Sequence, residues 1–250
     1  FGRNERISWA GTNMMADVQD IVIEQLHPGN AALYKSGEQW LPFESKQEYI
    51  HVKPDFPDAL RMPYKPVEVV VRKSKNGPII SDVVKGARGA YSLKWTALSI
   101  ADTSYEFFYR VNYAQNWQEF KSSLKFHVAP AINIIYADVE NNIALVGAGK
   151  IPIRRQGKGY LPTIGGEKED QWQGYVPALS MPIDLNPPAG FVVNANNANA
   201  DATYPYFISN DFAQEFRAKR ISDLLEQKIS SQTYVDIKDM QQIQADLLDL

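Results

Sequence analysis

The sequence contains no cysteine among its 250 residues. This absence excludes a disulfide framework, a thiolate zinc site and a cysteine nucleophile from the chain. Long apolar runs are lacking too, since the longest are far shorter than the roughly 18 residues that a membrane span requires. No signal peptide opens the chain, which begins at Phe1-Gly2-Arg3. We therefore expect neither a membrane span nor a thiol-based site.

The chain also lacks an excess of basic residues. It carries 26 lysines and arginines against 29 aspartates and glutamates, for a formal net charge of −3. Nucleic-acid-binding surfaces usually show as basic stripes, so we expect no nucleic-acid partner. P-loop, G-x-G-x-x-G, G-x-S-x-G and H-E-x-x-H motifs are missing, and no organic cofactor is expected.

Histidine is scarce. His27, His51 and His127 are the three in the chain, and none lies in a recognisable catalytic context. A serine–histidine–aspartate triad is therefore disfavoured. We expect each histidine to be structural or to lie on the surface.

Periodicity and turn residues predict an α+β chain, rich in strands early and helical late. Helices are predicted near 114–126 and 211–228, and Thr233 with Asp236 resembles a capping box that opens a last helix. The proline-rich stretch 53–66 reads as a connector, and 152–188 as surface loops. Short β-branched segments predict strands at 20–26, 47–52, 67–71, 132–137 and 142–148, the last two forming a hairpin.

The stretch "GFVVNANNANADATYP", residues 190–205, is unusual. A short apolar run leads into asparagines at positions 194, 196, 197 and 199, and the first charge comes only at Asp201. One interpretation is an asparagine-rich turn whose amides satisfy the local backbone. The other is a set of neutral hydrogen-bond donors that stabilise a developing negative charge.

Several segments resemble, in order, those of the penicillin acylases, amidases of the N-terminal-nucleophile hydrolase class. The resemblance covers nearly the whole chain, and five segments in the right order make chance agreement improbable. They are "RISWAGTNMMADVQDIVIEQL" (6–26), "SLKWTAL" (92–98), "NWQEFKSSLKFHVAPAINIIYADVENNIALVGAGKIPIRRQGKGYLPTIGG" (116–166), "WQGYVPALSMPIDLNPPAGFVVNANNANADATYP" (172–205) and "RAKRISDLLEQK" (217–228).

The resemblance implies catalytic roles for three residues. The family attacks amides with the first residue of its β chain, whose own α-amino group, titrating near about 8, serves as the base. The asparagine of its N-x-N-N segment stabilises the oxyanion and aligns with Asn196, while a backbone N–H donor aligns with Asn13. The arginine that opens an R-x-x-x-I-x-x-L-L helix aligns with Arg217. An exposed basic helix face is the alternative for Arg217.

The same resemblance implies two substrate-binding aromatic residues. Phe1 aligns with a phenylalanine of the family's hydrophobic acyl site, and Trp95 with its tryptophan-threonine motif. Plain core packing is the alternative for both side chains.

A calcium site is also implied, because many family members bind calcium through two aspartates and a carbonyl of the first segment. These positions correspond to Asp17, Gln19 and Asp20. Calcium takes six to eight oxygen ligands, so further ligands are needed. The family's aspartate after its Y-P pair is replaced here, with Asp211 the nearest carboxylate.

The resemblance as a whole implies a partial β chain, residues 1–250, of an αββα N-terminal-nucleophile hydrolase. It implies a small N-acyl substrate (a β-lactam side-chain amide, an acyl-homoserine lactone or an acylated peptide), an α chain from the same precursor, and a periplasmic or secreted location. We expect residues 1–250 alone to be inactive, since Phe1 offers an amine but no nucleophilic hydroxyl. The alternative is a non-catalytic, β-rich binding module stabilised by calcium.

Overall fold

The computed structural model describes residues 1–53, 64–167, 172–231 and 234–248. The chain forms two compact units, and each is described by itself. Unit 1 comprises Phe1–Val18, Ser99–Ile153 and Gly174–Leu250, and unit 2 comprises Gln19–Leu98 and Arg154–Gln173. Most of the predicted 53–66 connector lies outside the described residues.

The regular elements of the described residues are numbered along the chain. The helices are α1 (Ser104–Tyr113), α2 (Trp117–Ser123), α3 (Phe216–Ser231) and α4 (Ile237–Gln244). The strands are β1 (Gly2–Arg3), β2 (Ile7–Asn13), β3 (Gln19–Glu24), β4 (Leu26–His27), β5 (Asn30–Ser36), β6 (Gln39–Pro42), β7 (Glu44–Ile50), β8 (Val67–Ser74), β9 (Gly77–Pro78), β10 (Ala90–Trp95), β11 (Ile132–Asp138), β12 (Ile143–Ala148), β13 (Pro152–Arg154), β14 (Thr163–Ile164), β15 (Trp172–Tyr175) and β16 (Ile183–Leu185).

Unit 1 is built on an antiparallel sheet with the strand order β1-β2-β11-β12-β16. The central strand β11 pairs with β12 in a hairpin, as predicted, and with β2 on its other side. Cross-strand partners share a face of an antiparallel sheet, so the register assigns residues to faces. Ile134 lies opposite Gly11 of β2 and Val146 of β12 on one face, whereas Asn133 lies opposite Thr12 and Gly147 on the other.

The Ile134 face of this sheet packs against α1 and α2. Phe107 and Val111 from α1 and Phe120 from α2 join Ile134 and Tyr136 in one buried cluster. Asn116 caps α2, because its side chain accepts a hydrogen bond from the N–H of Glu119. Burying the apolar stripes of both helices on alternate strand residues gives unit 1 its principal core.

A second buried cluster of unit 1 involves the chain after β12. Met14, Ile151, Val176, Met181 and Ile208 are its main members. In this cluster, the segment just after β2 packs against the loops of 174–213, which contain the asparagine-rich stretch.

Unit 2 has its own small core around Tyr34, Phe43, Ile79 and Ala90. Its strands form three sheets, in the orders β10-β3-β14, β4-β5-β6 and β7-β8-β9. Strand β10 runs antiparallel to β3, with Trp95 opposite Gln19. The chain passes between the units at four points, two of which lie within β13 and β15.

These elements confirm the α+β class, with differences in detail. The last helix begins after Asp236, whose side chain forms a capping box with Asp239, while the predicted cap Thr233 lies outside the described residues. Helix α3 extends from Phe216 to Ser231 rather than over 211–228. Strand β2 and helix α1 were not predicted, and the loop prediction for 152–188 missed β13 to β16. Among the described residues, no helix is long and apolar enough to cross a membrane.

Candidate active site

The asparagine-rich stretch folds into a tight turn, residues 194–199, here called the amide turn. Asn196 has a φ of 65°, in the left-handed region that asparagine tolerates better than most residues. Two side chains close the turn on its own backbone: the N–H of Asn196 donates to Oδ1 of Asn194 over 3.1 Å, and the N–H of Ala195 donates to Oδ1 of Asn197 over 3.0 Å. The local interpretation of this sequence is therefore correct for Asn194 and Asn197.

The side chain of Asn196 instead reaches the end of strand β2. Its Nδ2 donates to the backbone oxygen of Asn13 over 2.8 Å and lies 3.1 Å from Oγ1 of Thr12. These residues are more than 180 positions away in sequence, so the side chain of Asn196 does not stabilise its own turn. Nδ2 of Asn196 therefore lies beside the backbone of Asn13. Asn196 and Asn13 are the two residues that were predicted to bind the oxyanion.

Arg217, in the first turn of α3, holds the other end of the Asn196 amide. One guanidinium nitrogen donates to Oδ1 of Asn196 and to the backbone oxygen of Ala195, both over 2.7 Å. Arginine donates only, so this contact fixes which end of the amide is oxygen and directs Nδ2 towards Asn13. A charged donor on the oxygen also polarises the amide, which strengthens Nδ2 as a donor.

Asn13 ends strand β2, and its side chain is exposed. Its Oδ1 accepts a hydrogen bond from the N–H of Met15 over 3.0 Å, and Met15 has a φ of 58°. The buried Met14 between them donates its N–H to the backbone oxygen of Ala131 over 3.3 Å. These contacts hold the peptide of Asn13 at the sheet edge on which Asn196 converges.

Asn13 also lines an open, mainly apolar cavity of about 590 Å³ within unit 1. Phe1 lies at the same cavity with a fully exposed side chain, so it is not a core residue. The structure thus brings Phe1 to the cavity beside Asn13. The remaining lining residues are Gly2, Trp9, Gly11, Thr12, Phe107, Phe108, Asn112, Pro130, Ala131, Ile132 and Ile134.

His127 lies behind the wall of this cavity and is buried, as the structural interpretation predicted. Its Nε2 is 2.7 Å from the backbone oxygen of Pro130, and its ring packs on those of Phe107 and Phe108. Burial lowers the pKa of the His127 ring, against smaller opposing effects of the Pro130 hydrogen bond and the Asp102 carboxylate. A neutral ring therefore supports two aromatic residues and the proline that face the cavity.

Trp95 belongs to unit 2, at the end of β10, where it is half-buried opposite Gln19. Its predicted role in acyl binding stays a prediction.

The calcium candidates are divided between the units, with Asp17 in unit 1 and Gln19 and Asp20 in unit 2. The carboxylate of Asp20 is buried and accepts hydrogen bonds from Nε of Arg154, at 3.0 and 3.1 Å, and from the Trp172 indole N–H over 2.5 Å. In the described ranges, no three histidine, cysteine or acidic side chains converge to hold a metal. The Asp20 carboxylate is thus bound by Arg154 and Trp172, and calcium binding stays a prediction.

Two residues near Asn196 were missed by the sequence analysis. Thr12 lies within the first family-like segment but carries no signal of its own. Asn133 is a polar residue inside the apolar run "INIIYA", and its side chain is 1% exposed. A buried amide must find partners, so this break in the apolar pattern was the available signal.

The chain is similar to several known proteins. The penicillin amidase family profile matches residues 1–250. The chain is 27% identical over 226 residues to the acyl-homoserine lactone acylase QuiP of Pseudomonas fluorescens, covering 89% of this chain and 27% of that protein. It is 32% identical over 234 residues to penicillin G acylase of Escherichia coli, covering 91% and 26%.

A proenzyme and a solved structure extend the comparison. Penicillin acylase 2 proenzyme of a Pseudomonas species is 26% identical over 250 residues, which cover 99% of this chain and 30% of that protein. The thermostable penicillin G acylase of Alcaligenes faecalis superposes with a TM-score of 0.79 at 25% identity, over 97% of this chain and 41% of that one. The predicted fold is thereby confirmed, and the chain spans about a quarter of the length of the curated relatives that it matches.

Proposed function

Because the chain belongs to the penicillin amidase family, we propose that it forms part of an amidohydrolase that cleaves the amide bond of N-acyl compounds. The observation that carries the proposal is the Asn196 amide, which donates to the backbone oxygen of Asn13 and accepts a hydrogen bond from Arg217. The Asn196 amide is a neutral donor that Arg217 polarises and that lies at the end of β2. Such a donor stabilises a negative charge that develops on a carbonyl oxygen.

In the proposed reaction, a nucleophilic hydroxyl or thiol attacks the amide carbonyl carbon and passes its proton to the α-amino group of the same residue. The carbonyl oxygen becomes an oxyanion, which Nδ2 of Asn196 and the N–H of Asn13 bind. Collapse of the intermediate returns the proton to the leaving amine and leaves an acyl-enzyme. Water then releases the carboxylic acid.

The structure suggests how Asn196 meets the oxyanion. Both Nδ2 hydrogens have acceptors, the Asn13 carbonyl and the Thr12 hydroxyl. An oxyanion takes over one of these hydrogen bonds, and because it is charged it accepts more strongly than the neutral oxygen it replaces. The Nδ2 group is already oriented by Arg217, so little reorganisation is needed in the transition state.

The cavity next to Asn13 is the proposed acyl site. Phe1, Phe108 and Ile132 supply apolar surface to it, and such surface favours the hydrocarbon part of an acyl group. The proposed substrate classes are β-lactam side-chain amides, acyl-homoserine lactones and acylated peptides. Relatives named for the first two classes, a penicillin G acylase and an acyl-homoserine lactone acylase, support both.

The nucleophile is proposed to lie outside these 250 residues, in a polypeptide comparable in length to the relatives. Residues 1–250 then correspond to part of a β chain, which associates with an α chain of the same precursor. The name of the matched penicillin acylase proenzyme supports a precursor. A periplasmic or secreted location and a structural calcium ion stay predictions.

The test is hydrolysis by the full-length, processed protein. Phenylacetyl amides, fatty-acyl-homoserine lactones and acetylated peptides should be incubated with it, and release of the amine measured. We expect turnover of at least one class, with a mass increase equal to the acyl group on the nucleophilic residue during a rapid quench. Residues 1–250 produced alone should give no turnover above buffer.

Two outcomes would overturn the proposal. If the full-length protein binds N-acyl compounds without releasing amine, the chain is part of a binding module. If residues 1–250 alone are active and Asn196→Ala abolishes that activity, the chemistry does not use an N-terminal nucleophile.

A further inference from the structure

The buried amide of Asn133 is bonded at both ends to the amide turn. Its Nδ2 donates to Oδ1 of Asn194 over 3.0 Å, and its Oδ1 accepts from Nδ2 of Asn199 over 2.6 Å. Asn194 and Asn199 flank Asn196 in sequence, so the side chain of Asn133 forms hydrogen bonds to the amide turn on both sides of Asn196. Asn133 itself is fixed in the middle of the sheet, between β2 and β12.

The first of these contacts leads directly to the backbone of Asn196. Oδ1 of Asn194 accepts from Asn133 and also from the N–H of Asn196. The remaining end of the Asn194 amide donates to the backbone oxygen of Asn197 over 3.2 Å. The Asn194 amide therefore cannot rotate without losing three hydrogen bonds. Through Asn194, the side chain of Asn133 fixes the position of the Asn196 backbone, which has a left-handed conformation.

One cross-strand row of residues in the sheet lies against the amide turn. Thr12, Asn133 and Gly147 are register partners on adjacent strands. Thr12 contacts the side chain of Asn196, and a Cβ added at Gly147 would lie 3.3 Å from Nδ2 of Asn199 and 2.7 Å from Cε of Met14. Glycine at this position leaves the space through which Asn199 reaches Asn133.

From this arrangement we propose that Asn133 is a positioning residue for the proposed amide hydrolysis. It touches neither substrate nor oxyanion, but sets the distance of Asn196 from Asn13 through Asn194 and Asn199. An apolar residue of similar size would complete the "INIIYA" pattern, yet it would remove one hydrogen bond from each of the half-buried Asn194 and Asn199 amides. The inference rests on the proposed function.

The test uses Asn133→Asp in the full-length, processed enzyme. The carboxylate has the same shape but no donor for Asn194, so the turn loses its central hydrogen bond. We expect kcat to fall about 10- to 100-fold with KM within about threefold, because the donor is misplaced mainly for the transition state. Each rate is divided by the concentration of titrated active sites, which removes losses in folding or processing.

A matched control lies at the other end of the same hairpin. Asn142 donates to Oδ2 of Asp138 and accepts from Asn186, so Asn142→Asp also breaks an amide network in this sheet. It should lower the melting temperature and leave kcat unchanged. If Asn133→Asp fails to yield processed enzyme, Asn199→Ala removes the second contact from the turn side, and kcat should fall about 3- to 10-fold.

Crystal structures of the wild-type, Asn133→Asp and Asn142→Asp proteins separate this inference from the proposed function. We expect the amide of Asn196 to move away from Asn13 in Asn133→Asp alone. If the wild-type protein has no amidase activity while this displacement is present, the function is wrong and Asn133 still positions the turn. An undisplaced Asn196, or kcat losses equal in the Asn133 and Asn142 variants, would overturn the inference.

Discussion

The guanidinium of Arg217 and the side-chain amide of Asn196 are joined by a 2.7 Å hydrogen bond that ends on the amide oxygen. This bond determines that the amide nitrogen faces the Asn13 peptide, because arginine has no acceptor. The orientation of the proposed oxyanion donor is thus built into the ground state.

The first prediction concerns that donor. Asn196→Ala in the full-length enzyme should leave folding nearly intact and reduce kcat by about 10²- to 10³-fold, the usual effect of losing one oxyanion donor. Steady-state kinetics on an N-acyl amide measures the loss. Asn197→Ala is the control, since Oδ1 of Asn197 serves the backbone of the turn. Equal losses in the two variants would show that the family alignment is out of register here.

The second prediction separates the shape of the arginine from its charge. Arg217→Lys keeps a cation but removes the rigid, planar guanidinium, one nitrogen of which donates to both Ala195 and Asn196. We expect kcat to fall about 10-fold or more while the protein remains folded. Lys219 lies on the same helix and pairs with Asp223 on an exposed face, so Lys219→Ala should leave turnover unchanged. Wild-type kcat in Arg217→Lys would remove Arg217 from the site.

The third prediction tests the acyl cavity. Gly11 lines it, and a Cβ added there would lie 3.6 Å from Cδ1 of Ile132, at ordinary contact distance. Gly11→Leu should therefore fill part of the cavity without breaking the strand. We expect KM to rise for substrates with long or aromatic acyl groups and to change little for an acetyl amide. A uniform rise for all acyl groups would indicate that the acyl chain binds elsewhere.

A fourth prediction distinguishes an ion pair from a calcium site. Asp20→Asn removes the charge of the buried carboxylate that pairs with Arg154, which should cost on the order of 3 kcal/mol in the free energy of unfolding. Because the partner is an arginine, the loss should be the same in EDTA as in millimolar calcium. Calorimetry under both conditions measures it. A loss confined to calcium-containing buffer would identify Asp20 as a metal ligand.

The fifth prediction follows from the lowered pKa of His127. The unfolded chain takes up a proton near the ordinary pKa of 6.5, whereas burial lowers the pKa of the native ring. Stability is therefore full above about pH 6.5 and falls as the pH drops towards the native pKa. His127→Gln can still donate to Pro130 and does not titrate, so its unfolding free energy should depend less on pH below 6.5. His51→Gln, at an exposed site, should keep the wild-type slope.

The strands with strong β-branched runs were predictable because β-branched residues favour an extended backbone through their local composition alone. The hairpin of 132–137 and 142–148 is an example, and it was found within one residue of its bounds. Strand β2 was missed because its sequence, "ISWAGTN", contains glycine and polar residues. The pairing of β2 with β11 stabilises the extended backbone that the local sequence does not favour. Such tertiary effects are not visible in local sequence.

The site was predictable only in part. The family resemblance pointed to Asn196, Arg217 and Asn13, and the structure brings these three together. It could not reveal that Arg217 binds the oxygen of the Asn196 amide, because that contact depends on how α3 approaches the turn. Nor could it reveal that Asp20, in the calcium-like segment, pairs with an arginine 134 positions away.

Strands β2 and β11 carry the lining of the cavity and the supports of the amide turn on neighbouring residues. Gly11 lines the cavity, Thr12 both lines it and contacts Asn196, and Asn133 binds the turn. A campaign of directed evolution that enlarges or reshapes the proposed acyl site through these strands would shift the supports of the turn at the same time. Selectivity and turnover would then change together, and variants with a new acyl preference would need compensating substitutions in residues 194–199 to recover speed.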